Sequence, residues 1–185
     1  MGEWMQHYRD FRKELILVGH YLIAAMRLEL HEQGHVNTNK LNNSFELNEL
    51  ETADNIVLEI FAEHYSEPLE TGVPSGSIKY TPFSGKKHSN YIEGLITWVE
   101  TKLGITGVPA KRLAFAIAAT HKVQGIPTLE SAKKHPSGRV HWLTRTLDQS
   151  EPKLEHLTES AFEAFIDKAT TTMFGNIQKE INNIK

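Results

Sequence analysis

The chain has 185 residues, 39% of them hydrophobic, with 20 Lys and Arg against 23 Asp and Glu and a formal net charge of −3. That length suits one domain able to bury a core, and the slight acidic excess argues against a dedicated nucleic-acid binder, which needs basic charge to displace counterions. There is no cysteine, which excludes disulfides, cysteine-ligated zinc, iron–sulfur clusters and thiol catalysis and suits a reducing cytoplasm.

No run reaches the roughly 18–20 apolar residues of a membrane span. Met1-Gly2-Glu3-Trp4 lacks the basic start and apolar run of a signal peptide. The first predicted element is a long helix from about Glu3 to Gln33. Trp4, Tyr8, Phe11, Leu15, Val18, Leu22 and Ala25 recur at steps of four and three, the period of one helical face. At 1.5 Å per residue it spans roughly 45 Å, which outreaches a compact domain of this size; the first reading is a helix lying across the core, the second that part of it packs on a neighbouring subunit. Gly34 is the expected stop. Two strands follow, Ser44–Leu47 and Asn55–Glu63, joined by the turn-forming Thr52-Ala53-Asp54-Asn55 into an antiparallel hairpin.

Tyr65 to Gly72 reads as one helical turn, and Val73 to His88 as a long polar loop, expected to be ordered by a neighbouring copy. Asn90 is expected to cap a helix whose apolar face is Ile92, Leu95, Ile96, Val99 and Leu103, ended by Gly104. Trp98 beside that face is expected to be buried, so that Trp98→Ala costs roughly 3–5 kcal/mol. An Ala-rich helix from Pro109 to Gln124 ends at Gly125-Ile126-Pro127. The chain closes with an amphipathic segment, Val140 to Leu147, and a long helix from about Pro152 whose apolar residues continue through Ile177, Ile181 and Ile184. The organisation expected is one domain over residues 1–185, with an N-terminal helix (1–34), a core (38–147) and a C-terminal helix (150–185).

His31-Glu32-Gln33-Gly34-His35 spells H-E-x-x-H. In zinc peptidases that spacing puts two imidazoles on one face of a helix, with Glu as general base. Here Gly34 is expected to end the helix and swing His35 off the shared face, so neither metal nor cofactor is expected. Lys86, Lys87 and His88 form a small basic tip. Lys133, Lys134, His135, Arg139, His141 and Arg145 form a basic run around Trp142 that admits a weak nucleic-acid reading.

Four segments, taken in order, resemble the tail-completion or neck proteins of tailed bacteriophages, which form rings at the head–tail junction. The first is Thr38-Asn39-Lys40-Leu41-Asn42-Asn43-Ser44-Phe45, matching a T-G-x-L-x-x-S-type motif that enters a hairpin. Asn39 stands where the family has Gly, and both residues tolerate a left-handed backbone. The second is Tyr65-Ser66-Glu67-Pro68-Leu69-Glu70-Thr71-Gly72, a Tyr-to-Glu-x-Gly turn. The third is the helix core Leu95-Ile96-Thr97-Trp98-Val99-Glu100-Thr101-Lys102, and the fourth the Ala-rich helix ending at Gly125.

The resemblance covers about Thr38 to Leu143. Its motif positions are Thr38, Leu41, Ser44, Tyr65, Glu70, Gly72, Trp98 and Gly125. It implies an α+β fold, a small antiparallel sheet packed by several helices with long helices at both ends. It also implies a structural virion protein and not an enzyme. Such a protein is made in the host cytoplasm and sits at the head–tail junction as a homo-oligomeric ring of six or twelve copies. The implied partners are portal or adaptor and tail proteins, with double-stranded DNA passing through the lumen without sequence-specific binding, and no membrane. The alternatives are a zinc metallopeptidase using His31, Glu32 and His35, and a cytoplasmic helical adaptor.

Overall fold

The computed structural model describes residues 2–52, 55–78 and 89–184. The protein is mostly helical, with one two-stranded antiparallel sheet and a very long last helix, in keeping with the α+β expectation at that level. The elements are α1 (Gly2–Glu32), α2 (Lys40–Asn43), β1 (Glu46–Glu51), β2 (Ile56–Phe61), α3 (Ser66–Thr71), a 3-10 turn (Ser75–Ser77), α4 (Asn90–Leu103), α5 (Gly107–Gln124), α6 (Leu129–Ala132) and α7 (Trp142–Ile184). The chain divides into two compact units. One comprises Met1–Met26, Glu46–Phe61 and Thr146–Lys185, the other Arg27–Phe45 and Ala62–Arg145.

In the first unit the aromatic stripe of α1 meets α7. Trp4 lies 5.2 Å from Phe165 between ring centroids, and Phe11 stacks on Phe165 at 5.2 Å. His7 hydrogen-bonds Thr172 at 2.8 Å. Another side of α1 carries the hairpin. Leu47 seats directly over Gly19, where an added Cβ would come within 2.8 Å of it. Arg12 pairs with Glu49, and with Glu51 at 3.2 Å, while the Tyr8 hydroxyl donates to Glu51 at 2.6 Å. The register pairs Leu47 with Ile60 and Leu50 with Val57. Alternation therefore turns Leu47 and Ile60 inward and leaves Leu50, Val57 and Phe61 exposed. β2 lies inside its expected limits, whereas β1 starts two residues late and runs on to Glu51, past the expected end at Leu47; Ser44 and Glu63 are taken up by a hydrogen bond to each other. Ala53 and Asp54 of the expected turn lie outside the described residues; beside them Thr52 and Asn55 hydrogen-bond each other at 2.9 Å.

In the second unit α4 and α5 form a helical hairpin around Ile92, Ala118 and Ile78. Ala110, Ala114 and Ala118 are wholly buried on α5, so small side chains set how closely the two helices approach. Asn90 is not the cap of α4. Ser89 holds that position with extended backbone, and its hydroxyl accepts the Ile92 N–H. Gly104 ends α4 in the left-handed conformation, as expected.

Trp98 is not buried. It is 38% exposed, since it sits at the edge of the Ile92, Leu95, Ile96 and Val99 face and only Val99 and Ile92 point fully inward. Trp98→Ala is accordingly expected to change stability by about 1 kcal/mol or less, a melting shift below about 4 °C for a chain of this size. Differential scanning calorimetry checks this; a fall of more than about 10 °C would restore the buried reading.

The largest departure from expectation is α7. The segment from Val140 and the helix from Pro152 are one helix of 43 residues beginning at Trp142, with Pro152 inside it. Proline withholds one ladder hydrogen bond, and the remainder of a helix this long carries it.

Candidate functional site

The eight motif positions all fall in the second unit. α1 ends in a Schellman motif, in which the His35 N–H reaches the Leu30 carbonyl at 2.9 Å and the Gly34 N–H the His31 carbonyl at 3.0 Å. Gly34 takes φ +71 to allow it. After exposed Thr38, Asn39 adopts φ +58 and opens α2. Leu41 is buried. Ser44 donates to the Leu41 carbonyl at 2.9 Å and accepts the Glu63 N–H at 3.1 Å, tying the first motif to the segment that follows β2. Lys40 pairs with Glu63 at 2.9 Å. Tyr65, 40% exposed, lies beside this pair, and its partial burial raises its phenol above the ordinary value.

Glu70 does a different job. Its carboxylate accepts the Leu143 N–H at 2.7 Å and the Thr144 hydroxyl at 2.5 Å, and its carbonyl accepts the His141 N–H at 2.8 Å. A negative charge on the free N–H groups of the first turn caps α7. Trp142, 2% exposed, donates its indole N–H to the Ser66 carbonyl at 3.1 Å and packs on Phe45. Two residues on, Gly72 and Gly125 flank a pair of backbone hydrogen bonds, from Val73 N–H to Ile126 carbonyl at 2.7 Å and back at 2.8 Å. Gly72 has φ +73 and Gly125 φ +86. A Cβ on the first would lie 2.9 Å from the Ile126 oxygen, and on the second 2.7 Å from the Val73 oxygen. Among the motif positions Leu41, Ser44, Glu70, Gly72 and Gly125 thus act as joinery. Thr38 is exposed, and Trp98 stands apart on α4.

A polar knot that the sequence reading missed underlies this joint. Glu29, 3% exposed, and Gln33, 2% exposed, lie one turn apart on α1. Gln33 donates to Glu29 at 2.7 Å, and Arg145 of α7 donates to the same carboxylate at 3.0 Å. Arg139 holds the end of α1 through the Gln33 carbonyl at 2.8 Å and the Gly34 carbonyl at 3.1 Å, and joins it to α6 through the Ser131 hydroxyl at 2.5 Å. Burial lowers its guanidinium below the ordinary value. The available signal was two polar residues, Glu29 and Gln33, in phase with the buried Met26 and Leu30. Polar groups on an inward face need partners.

His35 completes the knot. Because the Gln33 amide nitrogen serves Glu29, its oxygen faces His35, and His35 Nε2–H donates to it across 3.0 Å. Burial, and then the nearby Arg139 charge, lower the His35 pKa to about 4. The fold therefore holds the neutral ring. A folded value below the unfolded one means that this stability is complete above about pH 6.5 and is lost as pH falls toward 4. We expect about 2 kcal/mol of stability to disappear across that window, allowing for partial exposure. Urea midpoints for the native chain and His35→Asn should converge as the pH falls from 7.5 to 4.5. Parallel curves would mean that His35 titrates normally.

His31 and Glu32 of the H-E-x-x-H are exposed at the end of α1, while His35 turns into the knot. Among the described residues no group of three or more His, Asp or Glu side chains is placed to hold a metal ion. Among them, too, no helix is long and apolar enough to cross a membrane. The basic run is used internally at Arg139, Arg145 and Trp142, which takes its aromatic away from any nucleic-acid surface. Lys86, Lys87 and His88 lie outside the described residues, as does most of the expected loop. Elsewhere, Tyr91 and His121 hydrogen-bond at 2.6 Å, and burial raises the phenol and lowers the imidazole. The Tyr hydroxyl donates to a neutral ring, a bond that ties α4 to α5.

Comparison with family models, with curated proteins and with solved structures returns no match for this chain.

Proposed function

We propose that the chain is a structural virion protein of tailed bacteriophages, a neck or tail-completion protein forming a homo-oligomeric ring of six or twelve copies between portal and tail. In this reading the small sheet packed by several helices is the family core, and double-stranded DNA passes through the lumen. The observation that carries it is the joint itself. Motif residues Glu70, Gly72 and Gly125 lie at or beside the start of α7, while Leu41 and Ser44 tie the segment before it, and these residues cap, clasp and seal backbone instead of presenting reactive groups. That is the chemistry of a scaffold. The last turns of α7 add support. Met173, Phe174, Ile177 and Ile181 are exposed along one side, and a helix end of about a dozen residues is marginal without packing.

The test is the composition and symmetry of assembled particles. Mass spectrometry should find the chain in purified virions at a fixed multiple of six, and end-on imaging should show a ring at the neck. Deleting the residues after Phe174 should weaken incorporation while lowering the melting temperature of the free chain little. One asymmetric copy per particle, or absence from particles, would sink the reading.

A further inference from the structure

In the first unit α1 has a side that neither α7 nor the hairpin covers. Arg9, Lys13, Leu17 and Tyr21 follow one another at steps of four along it, all exposed. Leu17 is 58% exposed. α7 has a complementary side. Glu155, Glu159, Phe162 and Ile166 follow at steps of four, three and four, again all exposed. Phe162 touches Phe11 at 6.2 Å between centroids, yet stays 53% exposed. Both stripes read in the same direction, two charges and then two large apolar groups, with opposite charge sign.

We propose that the occupant of each face is a second copy of this chain, α1 of one copy lying parallel to α7 of the next. Arg9 faces Glu155, Lys13 faces Glu159, and Leu17 and Tyr21 pack on Phe162 and Ile166. Near-equal residue spacing keeps the four pairs in register over about three turns. Beside Glu155 is a shallow groove of about 310 Å³ lined by Leu147, Asp148, Glu151, Leu154 and Glu155. Leucines flanked by carboxylates suit the alkyl stem and charged head of an arginine. A contact between unlike faces is heterologous and closes into a ring when its rotation allows. The inference rests on the ring reading for that closure, while the contact itself stands on the charge pattern. Parallel pairing of α7 with α7 would instead set carboxylates against carboxylates.

The chain's lack of cysteine gives a clean test. Lys13→Cys and Glu159→Cys variants of the full chain are mixed and treated with a short bismaleimide. Cross-linked dimers should appear in the mixture and not in either variant alone, and the doubly substituted chain should give a ladder of higher oligomers. Charge reversal is the second measurement. Arg9→Glu with Lys13→Glu, and Glu155→Arg with Glu159→Lys, should each weaken self-association in sedimentation by about tenfold or more at low salt. Mixing the two reversed chains should restore it, because every charge then meets its opposite. Equal cross-linking of the single variants, reversal without effect, or a native chain that stays monomeric at about millimolar concentration would overturn the proposal. The virion reading fails separately. Cross-linking as expected in a chain absent from particles would support the contact and remove the neck role. A neck ring indifferent to reversal would keep that role and remove the contact.

Discussion

Arg145→Ala is expected to destabilise the protein by about 2–4 kcal/mol, the usual result of leaving one partner of a buried ion pair behind. Glu29 is 4% exposed at its side chain and Arg145 34%, so the cost comes from the carboxylate. Without Arg145, the side chain left on Glu29 among the described residues is the Gln33 amide at 2.7 Å, too little to replace the water it gave up. The second substitution tells more than the first. Glu29→Gln added to Arg145→Met removes both charges and keeps the volume, and it should recover most of the loss. The four chains make a double-mutant cycle, read by urea midpoints at pH 7.5, with a coupling of at least about 1 kcal/mol expected. Additive losses would show that the two charges act independently.

This knot also shows where reading the sequence stops. α1 was legible from its stripe and from Gly34, because both signals are local: a period of 3.6 and a residue free to take positive φ. The hairpin was legible for the same reason, through its alternation. The start of α7 was not. Pro152 reads locally as a boundary, while the cap that starts the helix at Trp142 is the Glu70 carboxylate, more than seventy residues earlier in the chain. Nothing near Trp142 announces it. Glu70 itself stood out as a motif residue, but its role depends on which backbone amides come near it. Trp98 failed differently. It falls just off a helical face, and a wheel cannot say how wide the covering surface is. Arg139 and Arg145, read as part of a basic run, spend their donors on the end of α1 and on Glu29. Charge counted along a sequence overstates charge presented at a surface whenever guanidinium groups serve as internal hydrogen-bond donors.

Gly125→Ala is the substitution expected to damage the joint most directly. Two effects add there. The backbone at φ +86 and ψ −170 belongs to a region used almost only by glycine. The new methyl would also lie 2.7 Å from the Val73 oxygen and 3.3 Å from the Ser75 nitrogen, both backbone atoms that cannot swing aside. Relief requires parting the Val73 and Ile126 segments, with their two hydrogen bonds. The combined loss should be about 3–5 kcal/mol, a fall in melting temperature of roughly 6–20 °C for a chain of this size. Gly104→Ala separates the two effects. It shares a positive φ, +67, but an added Cβ there meets nothing within 4 Å. Its cost should stay near 1 kcal/mol, the strain of a left-handed alanine alone. Thermal unfolding of both variants gives the comparison. Equal losses at the two positions would mean that the Val73–Ile126 bridge yields freely, and that the clasp beside Glu70 does not hold the joint together.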